Sequence, residues 1–500
     1  MHRIVCLFIL LCPLAFAGNE KNDSLVLRIQ FGSEPTQYDP LFLEDGTALR
    51  LAANVIATPF EYDGAGNLRN GLVRDYLLSR DKKKYTIHFK KNLKWSDGVK
   101  FHSNQFIAAV RRLVNEPVKS ALSDLFPDFD LQKTRVIDPL TVELVLKTPD
   151  AQLKNWLTLP PFSPIRDDMI ESFIKRNPVV PTLAAYQVVD YKRESHLLLK
   201  KNPEFEGADS VAIDQVKIVF LKDESSLYPL LRAGDLDILC KVPVLQYEQI
   251  RKVSKVTDVP VEAVTYLGFN TRKPPFNELK NRKAFLDLVS IKREELALML
   301  KTGELPARTF LPQILMQSPI QATGPLLSGF LNTKDEQLDK LVFNVQSDGG
   351  LRNEMILQFL QSKLKDRYSW KMKIENLEWK AHYSRLKTAP DEVFRFGWQN
   401  PVSDPYVVYQ VLKSDNVNNF TGWKNLEYDR LVDELRQETK MVKKAKLIER
   451  LEAILVKEVP VVPIVHQVLR FANSKRIEGF RANPFGVILF RELRFAKKVN

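Results

Sequence analysis

Histidines are the first place to look for a metal site or a general base, and the chain has six: His2, His88, His102, His196, His382 and His466. They fall in unrelated segments, none at metal-ligand spacing, so each reads as a surface or internally satisfied side chain. Cys6, Cys12 and Cys240 form no C-x-x-C pair, and G-x-S-x-G, H-E-x-x-H and the phosphate-cradling loop are absent. Gly64, Gly66 and Gly71 do not fit G-x-G-x-x-G and sit at a hairpin turn. No nucleophile–base arrangement is visible, which leaves binding as the leading class of chemistry. The segment that invites it is RFGWQNPVSDP, Arg395 to Pro405. It begins as a strand and keeps Gly397 beside Trp398, and a glycine inside a strand marks a place where another backbone comes close.

The elements that must position such a segment belong to an exported protein. His2 and Arg3 form a basic start, Ile4 to Leu14 an apolar stretch, and Ala15-Phe16-Ala17 an A-x-A site. That is the layout of a secretory signal peptide, too short to span a membrane. Cys12 follows Ile9-Leu10-Leu11, which lacks the small residues of a lipobox. Cleavage after Ala17 and a mature protein free in a periplasm are expected. Cys240 is then the one thiol, read as a buried strand residue, and no intramolecular disulfide can form. The net charge of +13 is spread over 74 basic and 61 acidic residues without a nucleic-acid motif. The densest basic run, Lys440 to Lys446, lies on the polar side of a helical pattern and reads as a solvated face.

Strands are expected at Leu25 to Phe31, in a meander from Phe60 to Lys90, at Thr141 to Leu146, between Tyr186 and Lys200, and at Asp214 to Leu221, and Tyr266 to Asn270 reads as extended. Helices are expected at Leu49 to Ile56, at Asn104 to Val114, and in the segment ending at Gly234. Beyond Leu341 strands alternate with helices: Leu341 to Gln346, a helix over Leu351 to Lys365, Trp370 to Glu375, a helix over Lys380 to Lys387, and Val393 to Trp398. The spacing of Ile356, Phe359, Leu360 and Leu364 gives one apolar stripe. Asn425 is placed to cap a helix bearing Tyr428, Leu431, Val432 and Leu435, and Val459 to Val465 reads as a buried strand. This alternation argues for α/β lobes, with the early meander as an added, mostly β portion.

Longer stretches resemble family 5 extracellular solute-binding proteins, the oligopeptide-binding group of ABC importers. The resemblance runs through Phe60 to Arg112 with KWSDG (Lys94 to Gly98) at its centre, AYQVVDYKRESHLLLKKNPEF, LLRAGDLDIL, LGFNTRKPPFNELKNRKAF, ENLEWKAHYSRL, RFGWQNPVSDP and VPVVPIVH. It implies an α/β, periplasmic-binding-protein-like fold of class II, a three-domain Venus flytrap of the oligopeptide-binding type. Residues 18–58, 183–270 and 479–500 would form the first domain, 59–182 the second and 271–478 the third. Ligand would lie between the first and third, whose two chain crossings serve as a hinge. The implied partners are a peptide or peptide-like ligand and an inner-membrane permease–ATPase complex. Neither nucleic acid nor a cofactor is implied, and a monomer is expected.

In peptide-binding members the ligand lies extended and pairs with protein strands. The residues that the resemblance carries into such a site are Arg395, Phe396, Gly397, Trp398, Gln399, Asn400, Asp404, Trp379, Tyr266, Asn270 and Glu34. Gly397 would admit the ligand backbone, and Trp398 and Trp379 would wall side-chain pockets. Both indoles filling the lobe core is the structural alternative. Arg395 stands where some relatives receive a peptide carboxylate, a task its planar fork suits; an ion pair with Glu392 or Asp391 is the other reading. One position departs from the family. Peptide binders have an Asp three residues after the tryptophan that pairs with the peptide α-ammonium, and here that position is Pro401. The expected cargo is therefore a peptide held without the usual ammonium anchor, such as a modified or cell-wall-derived peptide. A non-peptide ligand (metal chelate, haem or sugar) is the alternative within the fold; a secreted interaction protein without transport is another, separated from an importer by whether the lobes close on substrate.

Overall fold

A computed structural model describes residues 26–43, 45–116, 126–316 and 339–497 of the chain. The signal-peptide expectation lies outside the described residues. One mixed sheet of 11 strands runs through the molecule. Its order is Lys371–Leu377, Val342–Asp348, Val393–Gln399, Ser254–Phe269, Val461–Ser474, Ile238–Leu239, Val26–Phe31, Gln215–Phe220, His196–Lys201 and Tyr186–Lys192, with Leu305–Pro306 pairing off this path.

Two long strands join the halves of this sheet. Ser254–Phe269 and Val461–Ser474 pair antiparallel, but the register breaks between Pro260 and Val264, where Pro260 faces Val468 and Val264 faces His466. Extra residues on one strand of a ladder bend it and increase its twist, so the break sets the angle between the halves. On one side Val26–Phe31 runs parallel to Gln215–Phe220. Leu27 and Ile29 are fully buried and Gln30 nearly so, the two-faced burial expected of a parallel strand. On the other side Val342–Asp348 runs parallel to Lys371–Leu377, joined by the helix Leu351–Tyr368.

The meander forms a separate antiparallel sheet, Val73–Leu78, Lys84–Phe89, Thr141–Val145 and Arg135–Asp138, next to the hairpin Phe60–Tyr62 and Leu68–Asn70. Its packing needs Gly71, where a Cβ would stand 2.3 Å from the Thr58 carbonyl oxygen. Asn425 caps the helix Leu426–Gln437 through the Tyr428 N–H at 2.9 Å, as its sequence position predicts.

The helix Leu279–Leu300 has no counterpart in the sequence expectations. It buries Arg282, Asp287 and Arg293 alongside Phe285, Leu288 and Leu296, which erases the one-sided stripe that betrays a surface helix. Arg282 donates to the carbonyls of Phe276, Glu458 and Val459, tying the helix to the start of the second long strand. The basic run at Lys440 to Lys446 also needs correction, because one member is interior. Lys444 is 9% exposed and reaches the Asp404 carboxylate at 3.2 Å.

Candidate functional site

The strand Val393–Gln399 is flanked on one side by the first long strand, with Val393 opposite Phe269 and Gln399 opposite Ala263. The Asn270 N–H donates to the Glu392 carbonyl at 3.0 Å and the Asn400 N–H to the Glu262 carbonyl at 2.8 Å. Even-numbered residues therefore turn their backbone groups toward that partner, and odd-numbered ones turn theirs to the opposite edge. On that edge Val342–Asp348 accompanies the strand for two residues only, Val393 and Phe394. The Arg395 carbonyl then accepts from His382 Nε2 at 3.0 Å. Beyond it, the N–H and C=O of Gly397 and Gln399 face no strand among the described residues. An open edge of this kind is a template for an added extended chain.

Aromatic rings border the edge. Trp379, at the start of the helix Trp379–Thr388, is 48% exposed. It stacks on Tyr383 at 5.5 Å and 19° and on Phe396 at 6.1 Å and 25°. Trp398 is half-buried, and its indole N–H donates to Asn400 Oδ1 at 3.2 Å. Neither indole is sealed in the core, so both offer surface to a ligand. Gln399 is exposed and leans toward the Phe485 carbonyl at 3.5 Å.

Arg395 points to the face that Gly397 leaves bare. A Cβ on Gly397 would stand 3.3 Å from Arg395 Nη2 and 3.5 Å from Gln467 Nε2. Arg395 is 6% exposed, and its Nη1 donates to both oxygens of Asp348 at 2.6 and 2.9 Å, while Nε has no partner. Burial pulls this guanidinium below its ordinary pKa, and Asp348 opposes the shift. Neither acid expected from sequence is its partner. Asp391 takes Arg385, and Glu392 accepts from Asn344. Three or four residues along a strand span roughly 10–13 Å, beyond a direct side-chain pair. Arg352 lies beside Arg395 and is held by Glu304 at 3.2 Å and by the Thr265 hydroxyl at 3.1 Å.

The remaining expected residues are differently placed. Asp404 caps the helix Pro405–Tyr409 by accepting from the Tyr406 N–H, and its other oxygen meets Lys444. Burial pushes its carboxyl up while Lys444 holds it down. Tyr266 is 1% exposed and packs between Phe310 and Phe396. Asn270 spends its side chain on the Pro390 carbonyl and the Arg272 N–H. Glu34 accepts from the hydroxyls of Tyr38 and Tyr191 and from the Glu194 N–H, with no hydrogen bond to the open-edge strand.

Sequence reasoning missed Glu262. It interrupts the apolar run Val259-Pro260-Val261-Glu262-Ala263-Val264 and lies inside the register break of the long strands. A lone acid in such a run, just before an extended segment, is the only signal it leaves. Its carboxylate is 2% exposed and accepts from Ser403 Oγ at 2.6 Å and Asn400 Nδ2 at 3.3 Å. Burial pushes it up to about 7, and Asp404 adds to the shift. The loop carrying Ser403 is held in turn by the Tyr62 hydroxyl, which accepts from the Ser403 N–H at 3.0 Å.

No cluster of His, Cys, Asp or Glu suited to a metal ion occurs among the described residues. An apolar cavity in the other half, lined by Tyr38, Leu51, Trp95, Met169, Phe173 and Leu183 among others, holds no charged group.

Residues 67–420 match the family described as bacterial extracellular solute-binding proteins, family 5. The dipeptide-binding protein DppE of Bacillus subtilis is 22% identical, over 95% of this chain and 92% of its own. The probable deoxycholate-binding periplasmic protein YgiS of Escherichia coli is 23% identical, over 94% and 93%. The structure of the Escherichia coli murein tripeptide binding protein MppA superposes with a TM-score of 0.76 at 21% identity, covering 94% of this chain and 98% of that one. With its two-part sheet, open strand edge and matched segment, the chain belongs to the bacterial extracellular solute-binding proteins of family 5.

Proposed function

We propose that this chain captures a peptide or peptide-like ligand, including modified and cell-wall-derived peptides, for an ABC importer, and carries no catalysis of its own. The observation that carries the reading is the open edge at Gly397 and Gln399, bordered by the half-exposed rings of Trp379 and Trp398. An extended ligand would take up those backbone groups without regard to side-chain identity, and the two rings would wall its side chains. The two chain crossings between the lobes, which adjoin the long strands Ser254–Phe269 and Val461–Ser474, supply the hinge. Residues 18–58, 183–270 and 479–500 would then close against 271–478, with 59–182 as the added portion. Contacts made on both lobes only in the closed state bias the equilibrium toward closure. The protein acts as a monomer in the periplasm after cleavage behind Ala17, and delivers its cargo to a membrane permease and ATPase.

Native mass spectrometry of protein purified from its own organism tests the reading. A co-purified peptide is the expected result, together with a smaller radius in solution scattering when that peptide is added back. A non-peptide molecule that binds without altering the scattering profile would overturn it.

A further inference from the structure

Among the described residues Glu262 is a buried carboxylate without a cation. The titratable groups that face it are Asp404, across the Asn400–Asp404 loop, and the phenol of Tyr62, from the hairpin. Lys444 is already engaged by Asp404. Other buried acids are matched: Asp150 has Arg436, Asp237 has Arg476, Asp39 has Arg112 and Glu304 has Arg352. Glu452, likewise without an ion pair among the described residues, accepts three hydrogen bonds from them, two from backbone N–H groups. Glu262 accepts two, both from neutral side chains. An uncompensated buried charge is costly unless a counter-charge arrives.

Its place in the fold says which counter-charge fits. The Glu262 carbonyl accepts from the Asn400 N–H, which puts Glu262 on the strand along the covered edge, level with the residue before Pro401, and its carboxylate reaches across to the Asn400–Ser403 loop that follows the open edge. Asn400 joins it to the Trp398 indole by two hydrogen bonds. Ser403 Oγ marks where a donor approaches Oε1.

We propose that Glu262 is the ammonium-binding residue of the ligand site, receiving the free amino terminus of a peptide paired along Gly397 and Gln399, between Asn400 and Ser403. The carboxylate missing at position 401 is thus supplied from the neighbouring strand. This replaces the sequence expectation of a cargo held without an ammonium anchor, and it rests on the open edge being the ligand site.

The test offers wild-type and Glu262→Gln protein a tripeptide library with free amino termini and the same library N-acetylated, with retained peptides identified by native mass spectrometry. The tightest binder is then titrated by calorimetry at pH 6.5 in two buffers of different ionisation enthalpy. The free library should be retained and the acetylated one should not, with E262Q at least ~30-fold weaker toward the free peptide. A carboxyl titrating at about 7 should also release roughly three-quarters of a proton when an ammonium binds to the wild type, and none in E262Q. Equal retention of both libraries, or unchanged affinity and proton release in E262Q, would overturn the proposal while leaving the site intact. Retention of neither library by the wild type would remove the ligand-site reading and this inference with it. Should E262Q fail to fold, the contrast between free and acetylated peptides on the wild type still decides.

Discussion

Replacing Asp348 by Asn withdraws the one carboxylate that Arg395 touches among the described residues. Both Asp348 oxygens accept from Arg395 Nη1, with the arginine side chain 8% exposed and the aspartate 20%. Removing one partner of a buried pair costs about 3–5 kcal/mol, because the survivor is left charged and desolvated. The fifth of Asp348 that meets water lowers this to about 2–3 kcal/mol for D348N. Arg352, a like charge next to Arg395, works against any further reduction. The loss should appear as a lower urea midpoint followed by tryptophan fluorescence, since Trp398 lies on the strand of Arg395 and Trp370 and Trp379 adjoin the same half of the sheet. The freed guanidinium would also gain from a ligand carboxylate. A tripeptide with a free carboxyl terminus should therefore restore more stability to D348N than its C-terminal amide does. A loss under about 0.5 kcal/mol, the range of an ordinary surface substitution, would refute the assignment of Arg395 as a buried charge dependent on Asp348. Equal restoration by acid and amide would refute its exposure to ligand.

Lys444→Met strands the buried Asp404 and should destabilise the protein by about 3–5 kcal/mol, read from the denaturation midpoint. Trp379→Ala removes a half-exposed ring, so stability should change by less than about 1 kcal/mol while peptide affinity in calorimetry falls about tenfold or more. In ligand-free protein the Glu262 carboxyl sits above its unfolded value, so it stays protonated in the fold at pH values where the unfolded chain has released the proton. Stability should then fall as pH rises from about 4.5 to 7, by on the order of 3 kcal/mol, with the full penalty present above 7. Asp404 with Lys444, and Tyr62, are the neighbouring groups, and Tyr62 keeps its proton throughout this window. The melting temperature of E262Q should accordingly exceed that of wild type by more at pH 8 than at pH 5.

Short elements with strong punctuation were legible in the sequence. Val393–Gln399, the helix behind Asn425 and the unit from Val342 to Leu377 fall close to where alternation, capping and turn residues put them. The long strands were legible only in pieces, as Tyr266 to Asn270 and Val459 to Val465, because the register break leaves no compositional trace. The helix Leu279–Leu300 was invisible for a different reason: three of its charged side chains, Arg282, Asp287 and Arg293, are buried with the apolar ones, so its sequence shows no clean polar face. Within the site, the strand and its two tryptophans were readable, but the partners were not. Asp348 lies 47 residues from Arg395, Glu262 lies 138 from Asn400, and Lys444 lies 40 from Asp404, pairings that only the tertiary fold brings together.

A ligand backbone that completes the open edge of Val393–Gln399 must change the solvent exchange of the amides on that edge. Hydrogen exchange of the segment 393–400, measured with and without a bound tripeptide, tests it most directly. The Gly397 and Gln399 amides should exchange quickly in the free protein and become protected on binding, with Trp398 protected in both states by its pairing with Val264. A tripeptide that binds tightly and leaves exchange at Gly397 and Gln399 unchanged would contradict it.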